Sequence, residues 1–458
     1  MSTADRPTPP DRRRVGVALL GCGNVGAALV GLLLDRGDAL AVQSGAQLEL
    51  TGIAVADPSR PRPVHVPTEL LTGDAAGMVA DPSVDVVVEL MGGLEPAGTL
   101  VRASLDAGKP VVTANKALLA SPAGMALRAL ARERGVDLLY EASVAGAIPL
   151  VRALRESLTG ERIDRVLGIV NGTTNFILTR MASDGAAYGA ALSEAQSLGL
   201  AEADPTADVA GHDAAAKAAI LAGVAFGYDV AGADVYCEGI TGIDPALVAF
   251  AGRLGHAVKL LAVVERVTAA GGPPAASDPG ELSVRVHPAL VPTSHPLASV
   301  NGAFNAVFIE GEAAGELMLY GQGAGGLPTA SAVLGDLIDA TRNLVAGTTA
   351  PAPERTPARL HPSAELRSAC CLSVEVDDEP GVLASVTAAF GAHGVSIRSM
   401  EQHDGPASGR ARLVFLTHLA RWGALSATIE DLAGLDTVER VGPAVPVLDV
   451  PVPEGGPR

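Results

Sequence analysis

The stretch RVGVALLGCGNVGAALVGLLLDRG, residues 14–37, decides the fold of the first part of the chain. Arg14 to Leu20 has the apolar run of a short buried strand, and Ala27 to Arg36 has the pattern of a helix that ends at Gly37. The loop between them is a dinucleotide-binding fingerprint, in which the glycines allow a tight turn, close approach of a pyrophosphate, and packing of the helix on the strand. The predicted cofactor-binding residues are Gly21, Gly23, Asn24, Val25 and Gly26.

Strand-like and helix-like segments alternate over residues 15–150. Such alternation produces right-handed crossovers and a parallel sheet, so we expect a doubly wound, Rossmann-type α/β domain. The predicted strands after the first are Leu48–Ala56, Val84–Leu90, Pro110–Thr113 and Val136–Tyr140, and the predicted helices include Pro96–Ala107 and Pro122–Arg134.

The rest of the chain divides into segments that differ in composition and in the order of predicted strands and helices. Residues 151–320 predict a separate α+β domain, and a helix over 329–342 is expected to pack back on the first domain. Residues 346–368 are rich in Pro, Ala and Thr and indicate a linker. Residues 369–445 have the β-α-β-β-α-β order of a small ferredoxin-like domain. A disordered head (1–14) and a tail (446–458) complete the prediction.

Composition excludes several classes of function. The chain of 458 residues has 33 Lys+Arg against 51 Asp+Glu and a net charge of −18, which argues against nucleic acid or an anionic membrane as a partner. No run of eighteen apolar residues indicates a transmembrane helix, and the polar start MSTADRPTPPDRRR is not a secretory signal. Four cysteines form neither a metal-ligand spacing nor a disulfide scaffold. We therefore expect a cytoplasmic protein.

Two lysines stand out. Lys116 follows a predicted parallel strand, at the edge where open α/β sheets bind ligands, although it also suits a solvated first helical turn. Lys217 lies four residues after Asp213 on one helix face, which by itself is equally the pattern of a surface ion pair.

The order of motifs along the chain adds a resemblance. Together the motifs resemble the homoserine dehydrogenase family, from Val15 to about Val441, and its monofunctional kind. The closing segment, with DEPGVL at 378–383 and GVSI at 394–397, is similar to an ACT domain, a fold that often senses amino acids. The motifs are GCGNVG at 21–26, TANK at 113–116, YEASVAG at 140–146, NGTTN at 171–175 and the segment from Glu202 to Lys217.

The resemblance implies a reaction and roles for residues. The reaction is the NAD(P)-dependent interconversion of L-homoserine and L-aspartate 4-semialdehyde, in the biosynthesis of threonine, methionine and isoleucine. Lys116 and Lys217 match the catalytic lysines, one of them as acid/base; Lys116 also contacts the cofactor. The matching substrate-binding residues are Thr173, Glu202, Asp208, Asp213 and Lys217, and Gly323 and Gly325 match a second glycine turn at the cofactor.

The resemblance also implies a monovalent cation, sodium or potassium. Its ligands match Glu141, Val144, Gly146 and Ile148, where the alternative is a tight loop that binds no ion. It further implies that residues 151–320 are the substrate-binding and dimerisation domain of a homodimer or homotetramer, and L-threonine is the expected allosteric ligand of the ACT domain.

The choice between NAD and NADP stays open in the sequence. The acid that binds the ribose hydroxyl usually follows the glycines by about twenty residues, and Asp57 lies further from Gly26 than that. Arg60 and Arg62 instead suit a 2′-phosphate. Two other functions were weighed. An aspartate-semialdehyde dehydrogenase needs a cysteine nucleophile, for which only Cys237 is available, and a non-catalytic amino-acid sensor would not need the two lysines.

Overall fold

A computed structural model describes residues 13–60, 62, 66–267, 281–405 and 407–448. The predicted disordered head lies outside these residues up to position 12, and the predicted tail lies outside them from position 449. The chain forms two compact units. The first contains the residues up to Gly160, Ala219–Ala233 and Gly321–Thr356, and the second contains Glu161–Ala218, Asp234–Tyr320 and the residues from Pro357 onward.

A parallel sheet of six strands, in the order β3-β2-β1-β4-β5-β6, forms the centre of the first unit. This order confirms the Rossmann-type doubly wound fold. The strands are β1 (Arg14–Leu20), β2 (Gln47–Ala54), β3 (Leu71–Thr72), β4 (Val86–Glu89), β5 (Val111–Thr113) and β6 (Leu138–Leu139). The helices are α1 (Asn24–Asp35), α2 (Gly37–Ser44), α3 (Ala75–Ala80), α4 (Ala97–Asp106), α5 (Lys116–Leu119), α6 (Pro122–Arg134) and α7 (Leu150–Arg152).

Both faces of this sheet are covered. Val17 and Leu19 of β1 pack in one core cluster with α1, whereas Ala18 and Leu20 pack in the opposite cluster with α4 and α6. Because both faces are buried, β1 has a continuous apolar run rather than an alternating one.

A mixed sheet in the order β13-β12-β7-β10-β11-β9 belongs to the next part of the chain. The central β10, paired with β7 and β11, was not among the predicted strands. The strands are β7 (Ile163–Ile169), β8 (Tyr228–Asp229, outside this sheet), β9 (Tyr236–Cys237), β10 (His256–Val267), β11 (Glu281–Pro292), β12 (Phe304–Gly311) and β13 (Gly315–Gln322). The helices are α8 (Gly172–Asp184), α9 (Tyr188–Ser197), α10 (Thr206–Val209), α11 (His212–Phe226) and α12 (Pro245–Arg253).

Helix α13 (Gly326–Ala346) packs against α1, with Val333 and Leu337 in the core cluster of the first unit. It is longer than the predicted helix over 329–342 and ends where Gly347 takes φ 67°. The chain that follows is the predicted linker, and it contains β14 (Thr356–Pro357), a 3-10 turn and β15 (Arg367–Ser368).

The C-terminal sheet in the order β17-β18-β16-β20 confirms the ferredoxin-like ACT architecture. The end strand β21 pairs with β16 as far as Pro446, one residue past the predicted boundary. The strands are β16 (Cys370–Asp377), β17 (Ile397–Asp404), β18 (Arg410–Thr417), β19 (Ala420–Arg421), β20 (Val438–Val441) and β21 (Val445–Pro446), and the helices are α14 (Val382–Ala392) and α15 (Trp422–Ala433). Among the described residues, no helix is both long and apolar enough to span a membrane.

Candidate active site

The glycine loop after β1 has the geometry of an anion-binding turn. Gly21 takes φ +96°, and a Cβ atom at Gly26 would lie 2.5 Å from the carbonyl oxygen of Gly21. A Cβ atom at Gly23 would meet nothing within 4 Å, and Gly23 caps α1 without any side-chain hydrogen bond. The N–H groups of the first turn therefore face open space beside a glycine, and these residues fit a dinucleotide pyrophosphate.

The second glycine turn lies against the first. A Cβ atom at Gly326 would be 3.1 Å from the carbonyl oxygen of Asn24, and Gly325 takes φ +123° as the cap of α13. Gly323 is also closely packed, because a Cβ atom at Gly146 would lie 2.5 Å from the carbonyl oxygen of Gly323. The predicted cofactor residue Gly325 thus lies next to a residue that contacts Asn24 of the glycine loop, whereas Gly323 lies against Gly146.

The segment after β2 offers a cation, Arg62, and an acid, Asp57, whose Oδ1 is already engaged. The carboxylate of Asp57 accepts hydrogen bonds from the N–H and hydroxyl of Ser59, at 2.9 and 2.6 Å, and these bonds lower the pKa of Asp57. Nη2 of Arg62 donates to the carbonyl of Asp57 at 2.9 Å, and its Nε is buried with no hydrogen-bond partner among the described residues. Burial raises the pKa of the Cys22 thiol, and the Arg62 cation partly offsets that rise. The Arg62 cation therefore lies close enough to the glycine loop to affect the pKa of the Cys22 thiol.

Lys116 begins α5, directly after β5, and its side chain is exposed. A buried network holds the start of this helix. The carboxylate of Glu89 accepts a hydrogen bond from the hydroxyl of Thr113 at 2.6 Å, and that hydroxyl accepts one from the N–H of Asn115 at 3.0 Å. The Asn115 amide then donates to Gly93 O and caps α5. Glu89 is a positioning residue that the sequence analysis missed, because a carboxylate at a strand end has no motif of its own.

Lys217 is buried, not on the surface, so the interpretation as an exposed ion pair is wrong. Its side chain is 10% exposed and that of Asp213 is 6% exposed. Nζ donates to Asp213 Oδ2 at 2.7 Å and to the carbonyl oxygen of Val170 at 2.6 Å. An ammonium group has three hydrogens, so two of them orient Lys217 and one remains for a ligand.

Asn171 joins the carboxylates of this cluster. Its Nδ2 donates to Asp208 Oδ1 at 2.7 Å and to Asp213 Oδ2 at 2.9 Å. Its Oδ1 accepts from the N–H of Thr174 at 2.9 Å and so caps α8. Thr173, in the first turn of α8, donates its hydroxyl to Leu200 O at 2.6 Å. Asn171 thus joins Asp208 to Asp213, which binds Lys217, and the sequence predicted no role for this asparagine.

Glu202 is the predicted site residue that stands apart from this network. Its side chain is exposed, and within the described residues its carboxylate makes no hydrogen bond to the cluster. Its backbone carbonyl accepts a hydrogen bond from Gln196 at 3.1 Å.

The predicted cation loop is strained and buried. Ala145 and Gly146 take φ +58° and +54°, and the Val144 and Ile148 side chains are buried. The carboxylate of Glu141 accepts from the N–H groups of Val151 and Arg152 at 2.9 and 2.7 Å. Burial raises the pKa of Glu141 despite these bonds.

Backbone carbonyls remain as the donors of this loop. Among the described residues, the carbonyl oxygens of Glu141, Val144 and Gly146 accept no hydrogen bond, whereas that of Ile148 accepts one from Leu150 N at 2.8 Å. Hard carbonyl oxygens with no other partner are the ligands that an alkali ion prefers, so the loop fits such an ion. No group of three or more His, Cys, Asp or Glu side chains suited to a metal occurs among the described residues.

Cys237 lacks the setting of a nucleophile. Its thiol is 3.2 Å from Ala210 O, and burial together with the neighbouring Glu238 raises the pKa of Cys237. A catalytic cysteine needs the thiolate form, so this position does not support a semialdehyde dehydrogenase that forms a covalent intermediate.

Comparison with known proteins agrees with this architecture. Family models match three segments: "Homoserine dehydrogenase, NAD binding domain" over residues 21–141, "Homoserine dehydrogenase" over 149–338, and "ACT domain" over 372–436. The homoserine dehydrogenase of Mycobacterium tuberculosis (H37Rv) is 50% identical over 444 residues, which cover 95% of this chain and 98% of that protein.

Solved structures show the same relationship. The crystal structure of a homoserine dehydrogenase from Thiobacillus denitrificans matches with a TM-score of 0.84 at 36% identity, covering 95% of this chain and 99% of that one. A hyperthermophilic archaeal homoserine dehydrogenase in complex with NADPH matches with a TM-score of 0.58 at 28% identity, covering 72% and 98%.

The Rossmann sheet, its glycine loop and the buried lysine cluster define an NAD(P)-dependent oxidoreductase with an ACT domain at its C-terminal end. The 50% identity over nearly the whole length identifies it further. The chain belongs to the homoserine dehydrogenase family, and its reaction is the interconversion of L-homoserine and L-aspartate 4-semialdehyde.

Proposed function

We propose that Lys217 is the acid/base of this reaction. The observation that carries the proposal is the burial of its ammonium between Asp213 and Val170 O, with one N–H left for the substrate oxygen. The nicotinamide cofactor supplies or accepts the hydride when bound. Lys217 Nζ holds the proton that the substrate oxygen gains on reduction and loses on oxidation, and Asp213 orients that nitrogen.

The remaining predicted site residues bind the substrate or the cofactor. Asp208 and Glu202 bind the substrate ammonium, and Thr173 lies in the helix turn that Asn171 caps. Lys116 is the second catalytic lysine and contacts the cofactor. The family resemblance supports these roles, and the buried network from Glu89 to Asn115 supports a fixed position for the helix that Lys116 begins.

The test of the acid/base is the Lys217→Met variant. Homoserine-dependent reduction of the cofactor, followed at the reduced-nicotinamide absorbance band, is expected to lose at least about a hundredfold in kcat/KM, because proton transfer by a placed side chain contributes about 10²- to 10⁴-fold. Cofactor binding, followed by NADPH fluorescence, is expected to stay within about twofold, since the glycine loop is unchanged.

The matched control is Lys259→Met. Lys259 is also buried, its Nζ contacts Asn175 Oδ1 at 3.2 Å and the carbonyl of Val300, and burial lowers its pKa to about 8. The Lys259→Met variant removes a buried lysine that lies outside the Lys217 cluster. The folded variant is expected to retain activity. Equal loss in both variants, or full activity in Lys217→Met, would contradict the proposed role.

For the cofactor, the segment after β2 favours NADP. Arg62 lies close enough to the glycine loop to affect the pKa of the Cys22 thiol, its Nε has no hydrogen-bond partner among the described residues, and one oxygen of the Asp57 carboxylate, Oδ1, already accepts two hydrogen bonds from Ser59. A guanidinium is the group that recognises a 2′-phosphate, whereas an available acid recognises the free ribose hydroxyl. A related archaeal enzyme was solved with NADPH, which supports the same choice.

The Arg62→Gln variant tests this preference. The KM for NADP is expected to rise at least about tenfold because a charge-assisted contact is lost, and the KM for NAD is expected to stay within about twofold. Steady-state assays with each cofactor measure both values. The companion variant is Arg60→Gln, the other arginine of this segment that suits a 2′-phosphate, and it is expected to raise the KM for NADP less than Arg62→Gln does; a larger rise in Arg60→Gln would assign the phosphate to Arg60. An equal rise for both cofactors would show that Arg62 acts through the loop and not through the phosphate.

The loop over residues 144–148 is the proposed site of a sodium or potassium ion. The backbone carbonyls of Glu141, Val144, Gly146 and Ile148 would be its donors. Support comes from the two adjacent residues with left-handed backbone, Ala145 and Gly146, and from the carbonyls of Glu141, Val144 and Gly146, which accept no hydrogen bond from any described residue.

Regulation and assembly complete the proposal. The ACT domain supports regulation by an amino acid, for which L-threonine is the predicted effector, and the family resemblance supports a homodimer or homotetramer. The four cysteines form no disulfide, which fits the reducing cytoplasm as the compartment.

A further inference from the structure

Helix α13 contains a buried carboxylate that contacts residues 141–152, which we call the cation segment because it contains the predicted ion-binding loop. The side chain of Asp336 is 2% exposed, and its Oδ2 accepts a hydrogen bond from the N–H of Glu141 at 2.7 Å. Its Oδ1 lies 3.3 Å from Nη2 of Arg152. A buried carboxylate costs stability unless hydrogen bonds and an opposite charge compensate for its lost hydration. Asp336 obtains both from the cation segment.

Two carboxylates close the cation segment at its ends. The Glu141 carboxylate accepts hydrogen bonds from the N–H groups of Val151 and Arg152, at 2.9 and 2.7 Å. Asp336 binds both ends from outside the segment, through the N–H of Glu141 and the guanidinium of Arg152. The carbonyl oxygens that accept no hydrogen bond from any described residue belong to the chain between these ends. The positions of the predicted ion-binding carbonyls therefore depend on both carboxylates.

The cation segment also packs against the second glycine turn, which precedes helix α13. The N–H of Ala147 donates to the carbonyl oxygen of Gln322 at 3.0 Å, and a Cβ atom at Gly146 would lie 2.5 Å from the carbonyl oxygen of Gly323. Helix α13 begins shortly after this turn, and Asp336 lies about three helical turns further on. The cation segment is therefore attached to the α13 region at two points, the glycine turn and Asp336.

Apolar packing joins the same two elements. Ala142 of the cation segment belongs to the same buried core cluster as Val333 and Leu337, which flank Asp336 in α13. Protein interiors are close-packed, so a displacement of one packed element is transmitted to the other. A change in the backbone of the cation segment therefore reaches the glycine turn through α13 as well as through the direct contacts.

We propose that Asp336 is a positioning residue that couples the cation segment to the second glycine turn, so that binding of a monovalent cation and binding of the nicotinamide cofactor strengthen each other. Asp336 holds Glu141 and Arg152 against α13, and α13 in turn holds the glycine turn. When the carbonyls of the segment bind an ion, the glycine turn is already ordered for the cofactor, which lowers the cost of binding it. The inference rests on the proposed cation site.

Coupling of this kind is reciprocal. The factor by which the ion lowers the dissociation constant of the cofactor must equal the factor by which the cofactor lowers that of the ion. The two ligands do not need to touch each other for this effect, because both act on the arrangement of α13 and the segments attached to it.

The Asp336→Asn variant removes the coupling with little change in shape. An amide oxygen can still accept from the N–H of Glu141, but the amide nitrogen then faces the guanidinium of Arg152, which is also a donor. The variant is expected to fold, because Arg152 keeps its second partner, Asp339, at 2.9 Å. Asp339→Asn is the matched control, since it removes a carboxylate of the same helix that binds the same arginine, and Glu141 N–H donates to Asp336.

Binding of the reduced cofactor measures the coupling. Full-length protein free of sodium and potassium is titrated with NADPH and, separately, NADH, and the cofactor fluorescence is recorded in choline chloride and in KCl or NaCl of equal ionic strength. For the cofactor that binds more tightly, the dissociation constant of the wild type is expected to fall at least about fivefold with one of the two ions. The decrease is expected to be less than twofold in Asp336→Asn and to match the wild type in Asp339→Asn.

Thermal unfolding without cofactor measures the ion by itself. KCl or NaCl, compared with choline chloride at equal ionic strength, is expected to raise the unfolding temperature of the wild type and of Asp339→Asn in a saturable way, because a ligand of the folded state stabilises it. In Asp336→Asn, half-saturation is expected to require at least about fivefold more ion, since the charge-assisted contact that holds the segment is weakened.

The outcomes separate this inference from the cation site on which it rests. A wild type in which neither ion changes the unfolding temperature or the cofactor affinity would overturn the cation site and the coupling together. An ion effect that persists unchanged in Asp336→Asn would overturn the role of Asp336 and leave the cation site standing. Equal loss in Asp339→Asn would assign the effect to the charge on Arg152 and would also overturn the proposal. A variant that is less stable but keeps its ion dependence would show that Asp336 is only structural.

Discussion

At the scale of single residues, one amide organises the substrate cluster. Asn171 has two N–H hydrogens and uses them on two different carboxylates, Asp208 and Asp213, while its oxygen caps α8. Two carboxylates drawn together by one donor would repel each other if the amide were absent. Asn171 is therefore a positioning residue, which acts on the reaction through Asp213 and Lys217.

The Asn171→Ser variant separates its two roles. A serine hydroxyl is a good N-cap but has one hydrogen, so it cannot bridge two carboxylates. The free energy of unfolding is expected to fall by about 1–3 kcal/mol, because the cap is kept but the buried Asp213 carboxylate loses a donor, and kcat/KM for homoserine is expected to fall by about tenfold to a hundredfold as the cluster loses its alignment. Activity assays and thermal unfolding measure the two effects. A kcat/KM within twofold of the wild type would show that the carboxylates align without the bridge.

At the scale of the element, the loop between β1 and α1 uses its glycines for different purposes. Gly26 is required by packing, since its Cβ atom would lie 2.5 Å from the backbone oxygen of Gly21. Gly23 has φ −83°, which any residue can adopt, and open space where a Cβ atom would lie. Its requirement is expected to come from the cofactor and not from the fold.

The pair Gly23→Ala and Gly26→Ala tests this division within one loop. Gly26→Ala is expected to destabilise the protein by about 1–3 kcal/mol, because backbone atoms must move. Gly23→Ala is expected to unfold like the wild type without cofactor but to lose most of the thermal stabilisation that saturating NADP provides, since a methyl group occupies the pyrophosphate side. Thermal unfolding with and without NADP gives both results. If Gly23→Ala is as destabilised as Gly26→Ala, then Gly23 is required by the fold and not by the cofactor.

At the scale of the whole molecule, a buried histidine links stability to pH. Burial, together with the neighbouring Arg285, lowers the pKa of His287 to about 4, from about 6.5 in the unfolded chain. Between these values the unfolded chain binds the more protons, so stability falls as the pH falls. The contribution of neutral His287 to the free energy of unfolding is fully present above pH 6.5 and is lost as the pH falls through 4. It amounts to at most about 3 kcal/mol.

The His287→Gln variant removes this titration and keeps a side chain that can accept from Arg285 and donate to Pro288 O. Its unfolding free energy is expected to depend less steeply on pH between 6.5 and 4 than that of the wild type. Urea unfolding followed by the emission of Trp422, which lines the same cavity as His287, reports on this part of the chain. The control is the exposed His418→Gln. Parallel pH profiles for His287→Gln and the wild type would mean that His287 is not the titrating group.

The elements that the sequence predicted well are those that depend on neighbouring residues, and the element that it missed depends on distant ones. The strand–glycine loop–helix unit and helix α6 (Pro122–Arg134) are local, and periodicity and capping residues predicted them closely. The central strand β10 escaped prediction, because its role depends on pairing with β7 and β11 from distant parts of the chain. Helix α13 was expected near its position but extends to Ala346, where Gly347 ends it.

The sequence by itself determined the Rossmann and ACT architectures, the glycine fingerprint and the family, because these depend on the spacing of neighbouring residues and on motif order. Only the tertiary structure decided that Lys217 is buried with Asp213, that Asn171 bridges two carboxylates, that Arg62 Nη2 donates to the carbonyl of Asp57, and that a polar cavity adjoins the ACT domain. Each of these depends on the burial and orientation of side chains from separate segments. Local sequence does not encode which distant groups meet, because that is set by the packing of the whole unit.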